Sequence, residues 1–204
     1  MNFFIVKTAK HELKINYTYQ FFKISDVKID KILFNKLCKK GCKNYSKKYS
    51  CPPYTPDFKN EINDSDLIFV LMFHTDLKQL DNTDYRSWHK FMLLNRVMKP
   101  RIEKIMRQLE QISKTKFLAT GSCRLCNPCQ LKLKKPCKYP EKRRYSLESM
   151  GVDCNDLSKK LNKPLQWLSK ENTPEYTAVI CGLPLKEKIK NQVLNEFQDI
   201  IRKL

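Results

Sequence analysis

The stretch Asp66-Leu67-Ile68-Phe69-Val70-Leu71-Met72-Phe73-His74 carries no polar residue between its ends. A strand with one wet face alternates apolar and polar residues, whereas an unbroken apolar run of this length fits a strand covered on both faces, as in an α/β sheet. On its N-terminal side, Ile15 to Ile24 is aromatic and β-branched enough for another strand, and Asp30 to Leu37 has the spacing of a short helix that delivers Cys38. On its C-terminal side, Trp88, Phe91, Met92, Met98, Ile102, Ile105, Met106, Leu109 and Ile112 form a helical stripe within 84–114, which Pro100 should kink or split near Lys99. Phe117 to Thr120 and Tyr176 to Cys181 read as strands. Short helices are expected at 146–149, stopped by Gly151, and from a cap at Asn155 or Asp156 through Leu161, with a closing helix over 185–204. Helices and strands alternate, no linker interrupts them, and no repeat is visible. The expected fold is therefore one α/β domain over residues 1–204, a small central sheet flanked by helices and bearing two cysteine-rich metal-binding loops.

A chain of 204 residues buries about 70% of its unfolded surface and does not need a metal to replace its core. A hydrophobic content of 41% and an aromatic content of 11% mark a globular protein. The chemistry is concentrated in nine cysteines. Gly121-Ser122-Cys123-Arg124-Leu125-Cys126-Asn127-Pro128-Cys129 is a C-x2-C-x2-C run, and Cys137 follows after a basic loop. Each two-residue spacer turns the next sulfur inward and the late cysteine closes the cage, so a 4Fe-4S cluster is the first reading of Cys123, Cys126, Cys129 and Cys137. Zinc is its competitor, although structural zinc sites more often show two separated C-x2-C pairs.

Cys38, Cys42 and Cys51 make a second group, followed by Pro52 and Pro53, which are expected to force an extended path. Three thiols suit a zinc site completed by a histidine, a second 4Fe-4S cluster with one iron open, or plain buried thiols. Cys154 is a candidate fourth ligand, and Cys181 in its apolar strand reads as an inert core thiol. His11, His74 and His89 lack the mutual spacing of a zinc site and read as structural.

Lys and Arg number 40 against 21 Asp and Glu, a formal net charge of +19. Such a surface attracts anions: an acidic redox partner protein, a larger enzyme complex, or RNA. Lysines, arginines and tyrosines surround both cysteine groups, suiting either electron-donor docking or nucleic-acid stacking. There is no G-x-G-x-x-G, no G-x4-G-K-[ST] and no serine or cysteine triad assignable from spacing. The run Phe3-Phe4-Ile5-Val6 is too short for a signal peptide, and no run is long enough to span a membrane, so a cytoplasmic, unanchored protein with reduced thiols is expected.

The combination of C-x3-C-x8-C-P-P, G-x-C-x2-C-x2-C-x7-C-x2-P and Ser146-Leu147-Glu148-Ser149-Met150-Gly151-Val152-Asp153 resembles the cysteine-rich predicted metal-binding proteins of anaerobic archaea and bacteria, domain of unknown function 2284, over roughly residues 38–181. The resemblance implies a metal-binding, iron–sulfur protein with Cys38, Cys42, Cys51, Cys123, Cys126, Cys129 and Cys137 as its pattern residues. It implies no reaction. The leading expectation is a carrier of one or two 4Fe-4S clusters that moves electrons or assists an anaerobic redox or cofactor-maturation system. The alternatives are an enzyme acting through an open iron at the three-cysteine group and a zinc-stapled RNA-binding protein.

Overall fold

Leu67–Asp76 is the third of four strands, and its side chains explain the apolar run directly. The computed structural model describes residues 2–62, 64–169 and 172–204. β1 (Phe3–Lys7), β2 (Glu12–Lys23), β3 (Leu67–Asp76) and β4 (Tyr176–Leu185) form one sheet in the order β1-β2-β3-β4, with every pair antiparallel. Leu67, Phe69, Leu71 and Phe73 point to one face, into a core shared with Met98, Ile102, Ile105, Met106 and Phe197. Ile68, Val70 and Met72 point to the other, against Leu118, Leu147, Met150, Val152 and Leu157. The strand is covered on both faces because each parity of its pleat has its own core.

The first core is roofed by two helices, α3 (Ser87–Ser113) and α5 (Lys190–Arg202). The second lies under irregular chain from the central cysteine loop and under α4 (Cys154–Lys160). α1 (Lys31–Gly41) and the short α2 (Phe58–Glu61) flank this side. The α/β class, the single sheet and its flanking helices are as expected, with the sheet a meander.

Several boundaries differ from expectation. β1 pairs Phe3 to Lys7 with Asn16 to Glu12, a strand in a short apolar run that is buried only at alternate positions, Phe4 and Val6. Pro100 neither splits α3 nor ends it. A proline removes one ladder hydrogen bond, and here buried Met98, Ile102, Ile105 and Met106 on both sides of it hold the helix to the sheet. Phe117 to Thr120 is not a regular strand: Leu118 exchanges hydrogen bonds with Gly182 at 2.6 and 3.0 Å, and Ala119 bridges to Ser146. The cap of α4 is Asp153, whose carboxylate accepts from the Asn155 and Asp156 amides at 3.0 Å, two or three residues earlier than expected. β4 runs on to Leu185, so the closing helix begins only at Lys190.

α1 has no buried residue and is held from outside its own faces. Its Asp30 cap accepts from the Leu33 amide, the Asp30 amide donates to Gly151 O at 2.8 Å, and the Asp153 amide donates to Lys28 O at 2.9 Å. Lys31 Nζ reaches the Asp57 carboxylate and Thr55 O. Gly151, at φ +91°, lies so close to Lys31 that a β-carbon would fall 2.6 Å from the Lys31 Cα. Only glycine permits both that conformation and that approach.

Candidate metal centre

Cys38 lies in the last turn of α1, and the amide of Cys42, which caps the helix, donates to Cys38 O at 3.0 Å. The helix thus runs through Gly41, and turns at Tyr45, Ser46 and Lys47 bring the chain back to Cys51. After Cys51 the path is not extended as the two prolines suggested: the Tyr54 amide donates to Cys51 O at 3.0 Å and closes a turn. Beyond the effect of burial, the Cys42 thiol raises both Cys38 and Cys51. Burial pushes the Cys51 thiol up to about 11, countered in part by its hydrogen bond with Ser50. Burial also raises Cys38, with Cys42 and Glu148 adding to the effect.

The central loop brings Cys123, Cys126, Cys129 and Cys137 onto one cavity, which Tyr49 and Arg143 also line. The cavity is about 20 Å³, room for little more than a water-sized atom. Among the described residues, no three His, Cys, Asp or Glu side chains stand close enough to hold an ion as they are, so holding one here would require the thiols to shift. Their chemistry nonetheless fits a soft metal: all four donors are sulfur. Burial raises the Cys123 thiol, while the Leu125 amide and Lys48 pull it down.

The two cysteine groups share a wall. Ser50 Oγ accepts from the Cys123 amide at 2.9 Å and lies 3.9 Å from Cys51 Sγ. Lys48 Nζ donates to Cys123 O at 2.7 Å and to Ser122 Oγ at 3.3 Å, and Tyr49 OH donates to Lys135 O at 2.9 Å. The segment 48–51 is therefore the floor of one group and a side of the other. The central loop is anchored to α3 through the buried pair Glu110 and Arg144, with Glu110 also accepting from the Phe117 amide at 2.7 Å, and through Arg124 to Glu103 at 3.3 Å. Arg143 lies over the rings of Tyr49 and Tyr145.

Cys154 and Cys181 are buried, and burial raises both thiols well above their ordinary value. Glu148 and Asp153 add to the effect of burial at Cys154. All nine cysteines are free thiols. His11 packs on Tyr85, His74 on Tyr176 and His89 on Trp88, and none of them lines the cysteine cavity. Sequence reasoning passed over Ser50, which adjoins Cys51 but belongs to no spacing motif, and it placed Lys48 only among the basic residues around the first group.

Among the described residues no helix is long and apolar enough to cross a membrane. A family model described as predicted metal-binding protein (DUF2284) matches residues 20–181. No curated protein and no solved structure gives a match.

Proposed function

The chain belongs to the family of predicted metal-binding proteins whose model spans residues 20–181, and from that premise we propose that it is a cytoplasmic iron–sulfur protein that carries electrons within an anaerobic redox or cofactor-maturation system. Cys123, Cys126, Cys129 and Cys137 hold one 4Fe-4S cluster, and Cys38, Cys42 and Cys51 hold a second. Such clusters supply one-electron redox capacity, with a potential set by charge, hydrogen bonds to sulfur and exposure. The observation that carries this reading is that the C-x2-C-x2-C triplet and its late fourth cysteine line a single cavity whose wall, Tyr49 and Ser50, leads directly to Cys51.

The chain's own residues have defined tasks in this reading. Lys48 holds the loop carbonyl of Cys123 and places a positive charge between the groups, which favours the more reduced state. Ser50 gives the two groups a common hydrogen-bonding atom. Outside, exposed Ile32, Leu33 and Leu37 on α1 are accompanied by exposed Lys36, Lys39, Lys40 and Lys43 beside the exposed Cys42. An apolar centre among lysines suits docking of an acidic redox partner. The small size of the central cavity favours a second reading, a single zinc ion on the same four thiols, making the loop a structural staple.

Anaerobic expression of single-cysteine variants tests the assignment. Cys129→Ser and Cys51→Ser should each remove about half the bound iron and sulfide, from different groups. Unchanged iron in Cys129→Ser overturns the central assignment. Stoichiometric zinc lost in that variant, with no iron in the parent protein, establishes the staple instead.

A further inference from the structure

A second cavity also borders Cys123 and Leu125, and its lining is cationic. It encloses about 120 Å³ between α3 and the central loop, walled by Arg107, Arg124, Lys142 and Arg144 beside buried Phe117 and Ala119. Among the described residues, Glu103 is the one acid that lines it.

Two acids of α3 fix two of the arginines. Glu110 accepts from Arg144 Nε and, at 2.9 Å, from its Nη2, while Arg144 Nη1 donates to Glu141 O and Arg143 O at 2.6 and 2.8 Å. Arg144 is thereby fully engaged and holds the wall in place. Glu103 stands 3.3 Å from Arg124 Nη2, a single contact that leaves the rest of that guanidinium uncommitted among the described residues. Arg107 lies between Glu103 and Glu110 on the same helix, yet among the described residues it forms no ion pair: its Nη2 donates to Lys142 O at 3.1 Å and its guanidinium lies 5.4 Å over the Phe117 ring. The Lys142 ammonium has neither an ion pair nor a hydrogen bond among the described residues.

Three cations therefore converge on one cavity with one carboxylate to balance them. Like charges held together beside an apolar wall repel, and an anion entering between them relieves that repulsion in surroundings that strengthen its attraction. Guanidinium forks offer paired hydrogen bonds to an oxyanion, and a lysine adds a compact charge. The volume selects the kind of anion: it equals roughly four waters at about 30 Å³ each, the space of a tetrahedral oxyanion. Arg124 and Lys142 are exposed, so solvent reaches the site. We propose that this cavity binds a phosphate group, free or at the end of a small phosphorylated molecule, held by Arg107, Arg124 and Lys142. Binding here does not depend on which metal the neighbouring thiols hold.

Equilibrium dialysis of the full-length protein at fixed ionic strength, against inorganic phosphate and separately against glycerol phosphate, counts the bound ligand. One saturable site per chain is the expected result, and the tighter of the two ligands identifies the source. Lys142→Gln and Arg107→Gln should each weaken binding about tenfold or more, the effect of one charged hydrogen bond. Lys10→Gln removes the same charge in the turn between β1 and β2, at the sheet edge away from the strand that Leu118 bridges, and should leave affinity unchanged. If Arg107→Gln misfolds, Lys142→Gln decides, because the Lys142 side chain supports no contact of the fold. Absence of saturable binding with both ligands overturns the proposal, as does unchanged affinity in Lys142→Gln. Equal losses in Lys10→Gln and Lys142→Gln overturn it too, since net charge alone would then account for the binding.

Discussion

At the scale of single residues, the thiols set how the protein responds to pH. Cys51 is raised from its ordinary 9.0 to about 11, so it is protonated at neutral pH and must lose that proton to ligate. Metal uptake by the three-cysteine group should therefore strengthen as pH rises from 7 toward 9, with protons released, which titration in two buffers of different ionisation enthalpy measures. The same raised value means that the folded apoprotein binds more protons than the unfolded chain between about 9 and 11, so apoprotein stability falls as pH rises through that window. His74 has the opposite sign. Burial, with Lys163 adding to it, lowers it to about 4, and its Nδ1 is buried with no hydrogen-bond partner among the described residues. Below its ordinary 6.5 the unfolded chain takes up a proton that the folded state refuses, so stability is lost as pH falls from 6.5 toward 4. Urea midpoints across that range should decline less steeply in His74→Gln than in the parent protein.

At the scale of elements, β3 and α1 are opposites. β3 is buried on both faces, and Phe69 packs against Phe21 and Phe197 with ring centroids 4.9 and 5.2 Å away. Phe69→Ala should cost about 3–5 kcal/mol, read from urea denaturation. α1 is held by its ends, so Gly151 matters more to it than any residue of its own. Gly151→Ala meets both the left-handed backbone and the Lys31 main chain, a strain on the order of 1–3 kcal/mol. It should loosen the three-cysteine group and lower its iron while the central group keeps its share. This contrast shows what the sequence could disclose. The pattern of Asp66 to His74 carried β3 because burial on two faces leaves a mark in every residue of the run. The stop at Gly151 was legible as a helix end, but its contact with Lys31 lies across 120 positions of chain and leaves no local mark. The same holds for the site: each cysteine group was visible from its spacing, whereas their shared wall at Lys48 to Ser50 arises only from how two loops dock.

At the scale of the whole molecule, the sheet is a platform with a core on each face, and the central cysteine loop is tied to α3 through Arg144 to Glu110 and Arg124 to Glu103. The two groups sit on one body, joined by side-chain and main-chain hydrogen bonds at Ser50, Lys48 and Tyr49. A net charge of +19 surrounds them. Association with an acidic redox partner should accordingly weaken steeply as salt is raised, since exposed charges are screened within about 10 Å at 0.1 M. The central claim concerns what the thiols hold, and its most direct test is a count of iron, zinc and acid-labile sulfide per chain in one anaerobic preparation. Iron and sulfide in equal amounts, about eight of each when both groups are filled, is the predicted result; a colourless protein with zinc and neither iron nor sulfide would contradict it.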